Sequence, residues 1–308
     1  SGCYLPGHGT PTLLLFGRNR SSNRLGFTTV LGKRGETHEP SDPSKAPVWS
    51  EIVSHHNEIG FDGRFVSVAR FTEPEGGTHP WVLAGGGARE FFATFSKNAS
   101  SALGTMLAFI GRTTHTGDDE FFPRPLSVSS RQRVAGVRYV PFVRGQDVGD
   151  YEVGHELDVL FPYDAAGEST ELGLTEVRLF WPFRQRLRVR RNFGRTLEER
   201  GQRWSEHSMF FPDRFRARPV IGYPFVSTHN DFAIARSPMV FKQTAPALKL
   251  LPEHDEAAHQ ALLGYLNSST VAFWCRLVMF PKGGDQVGDG ARLSATQWNR
   301  HLEYAGNL

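Results

Sequence analysis

Glycine and proline punctuate this chain so often that only short elements fit between them. It holds 32 Gly and 19 Pro in 308 residues, somewhat above average, which predicts many turns. Residues 12–17, Thr-Leu-Leu-Leu-Phe-Gly, are closed off by Pro11 and Gly17. Such a run is too short for a helix and reads as a buried strand. Phe65–Ala69, Arg138–Val143, Asp158–Phe161, Val220–Ser227 and Met239–Gln243 read as further strands. Val48–Glu58 reads as a short helix. Ala88, Phe91, Phe92, Phe95, Ala99 and Ala102 recur at helical spacing and predict one amphipathic helix. Val177–Trp181 fits either a strand or the start of a helix ending at Arg195. The clearest helical stretch is C-terminal, with Asp255 as its N-cap. Leu262, Leu263, Leu266, Phe273, Trp274, Leu277 and Val278 share one stripe. Asn267-Ser268-Ser269 interrupts it, and Ser268 is placed to cap a second helix. The fold class expected is α/β. No apolar run approaches the roughly 18–20 residues of a membrane helix, so no membrane partner is expected.

Charge is distributed unevenly. The net charge is only +3. Between Arg178 and Arg218, however, lie twelve Arg, no Lys and four acids (Glu198, Glu199, Glu206, Asp213), a local balance of +8. Across the chain Arg outnumbers Lys 29 to 6. A GC-rich genome accounts for the ratio but not for the clustering. A basic block in a near-neutral chain suggests an anionic partner, most commonly nucleic acid, although solvated basic faces are common as well. If residues 184–190 form a strand, Arg184, Arg186, Arg188 and Arg190 share one face. On a helix they spread around it, and some serve structure only.

No complete catalytic constellation is present. Pro6-Gly7-His8-Gly9-Thr10-Pro11 has a Gly-x-Gly ahead of the strand at 12–17, the wrong order for a phosphate-cradling loop. It reads as a tight turn, or as the rim of a pocket. The two cysteines, Cys3 and Cys275, cannot make a disulfide scaffold, which favours a reducing, cytoplasmic setting. Neither His55-His56 nor His254 and His259 has metal-ligand spacing, so no metal is expected. There is no Gly-x-Ser-x-Gly elbow. His115–Phe121 reads as a polar connector whose Phe121, with Phe122, anchors into a core.

Several segments together resemble a known family. Cys3–Thr12 with Arg18-Asn19-Arg20 resembles the late-strand region of amino-methylating DNA methyltransferases. Thr116-Gly117-Asp118-Asp119-Glu120-Phe121 resembles the entry to their target recognition domain. Arg144-Gly145-Gln146-Asp147, Tyr151 and Leu160-Phe161-Pro162-Tyr163 resemble that domain's "Arg-Gly-x-Asp … Tyr-Pro-Tyr" strands. Leu262–Ser269 is similar to the "Leu-Leu-Gly-x-Leu-Asn-Ser" helix near its end. Trp181-Pro182-Phe183-Arg184, Phe241–Pro246 and Phe280–Gly284 resemble in particular the PglX-type adenine-specific methyltransferases of BREX phage-exclusion systems, relatives of the type IIG enzymes. The matches run from residue 3 to about 284 in the family's order.

The departures matter as much. The family needs (Asn/Asp)-Pro-Pro-aromatic to hold the flipped adenine, and this chain has no Pro-Pro dipeptide. The Gly-rich turn that seats S-adenosylmethionine is also missing. The resemblance therefore implies the C-terminal part of a longer enzyme, and the start at Ser1 without a methionine accords with that expectation. Residues 1–112 would be the tail of a Rossmann-like methyltransferase domain. Residues 113–308 would be a mixed α+β target recognition domain. S-adenosylmethionine would serve the full enzyme, bound outside this chain. Double-stranded DNA is the expected partner, with other phage-defence proteins beside it. Leu5 and His8 map near the flipped base. Arg184, Arg186, Arg188, Arg190, Arg191 and Arg195 are the expected backbone contacts, with Lys242 and Gln243 as groove contacts. Two other readings stay open. One is a non-catalytic DNA-binding specificity module working with separate subunits. The other is an unrelated hydrolase or sugar-active enzyme that echoes these motifs.

Overall fold

A computed structural model describes residues 14–17, 26–33, 40–71, 82, 85–149, 151–279 and 302–303. The chain divides into two compact units. The first comprises residues 1–101 and takes up the chain again over 272–303. The second comprises residues 102–271. The division falls before residue 112 because residues 107–111 form the edge strand of a sheet in the second unit.

In the first unit, β1 (Phe27–Gly32) precedes α1 (Pro47–His55), β2 (Val66–Phe71) and α2 (Ala88–Asn98). β1 and β2 pair antiparallel, from Phe27 opposite Phe71 to Gly32 opposite Val66. Glu51 of α1 fixes the entry to β2. Its carboxylate accepts hydrogen bonds from the backbone N–H groups of Arg64, Phe65 and Val66 at 2.8, 2.7 and 3.0 Å. Residues 14–17 form no strand, and Leu14, Leu15 and Phe16 are exposed. The buried strand expected there is corrected on these residues, which pair with no other strand among the described residues. A parallel Rossmann-like sheet is likewise not seen among the described residues of this unit.

The second unit begins with β3 (Leu107–Gly111), β4 (Thr114–His115), β5 (Pro123–Pro125), α3 (Leu126–Val134) and β6 (Tyr139–Val143). A small hairpin, β7 (Val148–Gly149) and β8 (Glu152–Val153), leads to β9 (Leu157–Leu160). Then come α4 (Leu174–Phe180), α5 (Arg184–Arg188) and the hairpin of β10 (Arg191–Asn192) and β11 (Arg195–Thr196). The remainder holds β12 (Met209–Phe210), α6 (Pro212–Arg216), β13 (Val220–Gly222), β14 (Val226–Ser227), β15 (Ala233–Ala235), β16 (Val240–Phe241), β17 (Ala247–Leu250) and α7 (Glu256–Leu266). One four-stranded sheet runs β15-β13-β17-β3 and is antiparallel throughout. The other runs β16-β6-β9-β5, with only β16 and β6 parallel. The architecture is thus mixed α/β, with small sheets set by the short runs between turns.

An aromatic core fills the second unit. Phe121, Phe122, Phe142, Phe161, Phe180 and Phe215 are all buried within it, each worth about 2–3 kcal/mol of burial. Phe121 and Phe122 do anchor the connector that precedes them. Gly117 in that connector has φ +72°, and a Cβ on it would lie 1.8 Å from the Ser208 hydroxyl. Only glycine fits there.

The C-terminal helices follow the sequence reading closely. The Asp255 carboxylate accepts from the Ala258 N–H at 2.9 Å and caps α7. The chain breaks at Asn267, Ser268 accepts from the Val271 N–H at 3.2 Å, and α8 (Ser269–Val278) follows. From residue 272 this helix belongs to the first unit, where Phe273 meets Phe91 edge-on and Trp274 stacks on Phe95.

Candidate nucleic-acid interface

The arginine block folds as helix and hairpin. Val177–Trp181 lies in α4 and a 3-10 turn, and α5 ends at Arg188. The shared-face arrangement of residues 184–190 is therefore absent, and the arginines diverge. Arg184 packs over the Trp181 ring at 4.1 Å. Arg186 bridges two acids, Asp118 at 2.5 Å and Glu120 at 2.7 Å. Arg188 pairs with Glu198 at 3.0 Å. Arg191 donates to the Gly194 carbonyl at 2.8 Å. Arg191 and Arg195 are exposed and meet no carboxylate at ion-pair distance among the described residues.

Arg190 has turned inward, where no phosphate reaches it. It is 8% exposed. Its guanidinium donates to the carbonyls of Leu187, Thr116, Trp204 and Glu206 at 2.9, 2.6, 2.7 and 2.8 Å. Burial pulls its pKa down to about 10. The buried His207 lies in the same region. Its Nε2–H donates to the Leu160 carbonyl at 2.9 Å, which leaves Nδ1 to accept from the Thr114 hydroxyl at 2.7 Å. Burial pushes this ring's pKa down to about 3, so it is neutral.

Besides Glu198 and Asp213 within it, acids from elsewhere in the chain pair with part of the block. Asp118 and Glu120 take Arg186, Glu171 faces Arg203 at 3.5 Å, and Glu168 takes Arg216 at 2.8 Å. Lys242 is held by Asp119 at 2.6 Å. Burial alone would raise the Asp119 pKa. The bonds from Lys242 and Thr116 outweigh it and hold the carboxyl below its usual range.

Positive charge without a partner collects at a place the sequence did not mark. The pairing of β4 with β12 sets Thr114 opposite Phe210 and so brings Arg112 beside α6 and Arg214. Arg214 donates to the Arg112 carbonyl at 2.8 Å and lies 4.4 Å over the Phe211 ring. Burial lowers its pKa, and the neighbouring Arg112 charge adds to the shift. Arg112 donates to the side-chain carbonyl of the exposed Gln243. Neither arginine meets a carboxylate at ion-pair distance among the described residues. Together with Phe211, Tyr223 and Gln243 they line a cavity of about 270 Å³. Tyr223 is 1% exposed, and its hydroxyl has no hydrogen-bond partner among the described residues.

Of the expected contacts, then, Arg191, Arg195 and Gln243 are exposed and unpaired with an acid, and Arg184 is half-buried against Trp181. Arg186, Arg188 and Lys242 are ion-paired, and Arg190 is buried. Leu5 and His8 lie outside the described residues. Arg112, Arg214 and Tyr223 were missed, because their meeting depends on strand pairing across about a hundred residues. No group of three or more His, Cys, Asp or Glu is placed to hold a metal ion among the described residues. No helix among them is long and apolar enough to cross a membrane.

Fold and charge together define a mixed α/β protein whose second unit presents cations to solvent. No protein-family model matches the chain. An adenine-specific methyltransferase PglX from Streptomyces coelicolor is 33% identical over 315 residues, covering 99% of this chain and 26% of that protein. The chain spans about a quarter of the length of the curated relative it matches. It is related along its whole length to part of a PglX adenine-specific methyltransferase. Among solved structures, the type IIL restriction-modification enzyme MmeI in complex with DNA aligns at 13% identity and a TM-score of 0.39. That alignment covers 65% of this chain and 24% of that one. The type IIG restriction endonuclease BpuSI aligns at 12% identity and a TM-score of 0.40, covering 94% and 34%. Likeness at that level is too weak to place a residue.

Proposed function

We propose that this chain is the DNA-recognition part of a PglX-type adenine-N6 methyltransferase acting in phage defence. The observation that carries the reading is the 33% identity to PglX over 99% of the chain. The second unit takes the target-recognition role, and residues of the first unit form the tail of the catalytic domain. Arg112 and Arg214 hold backbone phosphates, with Arg184, Arg191 and Arg195 as further contacts and Gln243 facing a groove. Arginine suits this work because its planar fork meets phosphate and guanine bidentately.

Methyl transfer belongs to the full enzyme. The chain has no Pro-Pro dipeptide to hold an adenine amino group. S-adenosylmethionine is accordingly assigned to the part of the full enzyme outside this chain. The glycine run at residues 85–87 opens α2, but a Cβ on Gly85 would lie 2.3 Å from the Ser67 hydroxyl and 3.0 Å from Lys33. The chain's own side chains fill the space at Gly85, while Gly86 and Gly87 are open.

The test is binding of the 308-residue chain to a labelled DNA duplex across a salt series. Affinity falls linearly on a log–log scale as salt rises, because each neutralised phosphate releases counterions. No binding at about 50 mM salt, where such contacts are strong, contradicts the proposal.

A further inference from the structure

The hairpin of β10 and β11 turns in two residues, Phe193 and Gly194, with Asn192 paired to Arg195 and Arg191 to Thr196. Both turn residues have positive φ, +52° and +79°. Turns of this kind favour Asn-Gly or Asp-Gly, which enter the left-handed region at little cost. A bulky side chain at the first position is an outlier. Packing does not compensate for it. Phe193 is 87% exposed, and its ring meets no other ring or cation among the described residues. The fold therefore has no use for this ring, and a strained, exposed residue of this kind points to function. Arg191 and Arg195 flank it, both exposed and with no carboxylate at ion-pair distance among the described residues, the nearby Glu199 acting on both only through the field of its charge.

We propose that Phe193 is a wedge that inserts between stacked base pairs of duplex DNA, with Arg191 and Arg195 holding the phosphates to either side. An aromatic ring set between two cations complements a base step, whose stacked faces are apolar and whose flanks are anionic. Insertion unstacks the step and kinks the duplex, which brings more of the basic surface against the backbone. A protein partner would also accept the ring, but it would need two acids spaced to meet the arginines. Every duplex step supplies such a pair of anions. The proposal rests on the reading of the second unit as DNA-binding.

A wedge works against base stacking, so a duplex with one abasic site, where stacking is already broken, binds more tightly than an intact one. The 308-residue chain is titrated into both duplexes at the same salt, alongside Phe193→Asn and Phe193→Trp. The wild type prefers the abasic duplex by about tenfold, since unstacking is costly. Phe193→Trp keeps the preference. Phe193→Asn loses it while its unfolding midpoint holds or rises, because Asn is the residue the turn favours. Equal affinity of the wild type for both duplexes overturns the wedge, as does an undiminished preference in Phe193→Asn. In either case the DNA-binding reading stands. No binding to either duplex at low salt overturns both.

Discussion

Arg190 and His207 are polar residues that the second unit buries, and both carry testable costs. Arg190→Ala removes the guanidinium from four carbonyls, of which that of Thr116 keeps the Ser208 N–H, and losing a buried, charged hydrogen-bonding group costs about 3 kcal/mol. Urea unfolding should show a loss of that order. A loss under 1 kcal/mol would mean that the carbonyls find other partners. His207 makes stability depend on pH. Unfolded, its ring titrates near 6.5, and folded it titrates near 3. Above pH 6.5 neither state binds the proton and the group has no effect. As the pH falls through 6.5 the unfolded chain takes up a proton that the folded chain refuses. Stability then declines by about 1.4 kcal/mol per pH unit until the ring titrates near 3. Unfolding midpoints at pH 7, 6 and 5 should show a steeper decline in the wild type than in His207→Gln. Parallel declines would rule the ring out as the cause.

At the level of elements, the Arg-Gly-Gln-Asp motif turns out to be a clamp. The Asp147 carboxylate accepts from the Arg144 backbone N–H at 2.7 Å and from its guanidinium at 2.9 and 2.8 Å, closing the turn after β6. Gly145 is needed because a Cβ would lie 2.5 Å from the Thr244 carbonyl. Asp147→Asn removes the charge from a partly buried bidentate pair and should destabilise by about 2 kcal/mol in urea titration. An unchanged midpoint would show that the turn is held by other contacts. Features of this range were legible in the sequence. Asp255 and Ser268 cap helices one turn away, so residue type and spacing expose them. The strands at 139–143 and 157–160 were legible as short runs rich in β-branched and aromatic residues. Contacts between distant segments were not. Arg186 meets Asp118 across 68 residues, so the acidic loop and the basic block were read separately. The arginines spaced two apart suggested a face, but helix α5 spreads them.

On the scale of the whole molecule, charge in a window of sequence and charge on a surface proved to be different things. Within the +8 block, Arg186, Arg203 and Arg216 are met by acids from outside it, at 118, 120, 171 and 168, and Arg190 is turned onto backbone carbonyls. What remains for a partner is a scattered set, with Arg112 and Arg214 brought together from 102 residues apart. Those two arginines are the ones proposed to meet phosphates. The salt dependence of duplex binding tests this most directly. It is measured for the wild type, for Arg112→Gln/Arg214→Gln, and for Arg186→Gln as a control whose side chain is already ion-paired. Each lost phosphate contact should flatten the log–log slope by about 0.9. The double variant is therefore expected to lose about 1.8 of slope, while Arg186→Gln keeps the wild-type value. A double variant that remains folded and retains the wild-type slope would contradict the account.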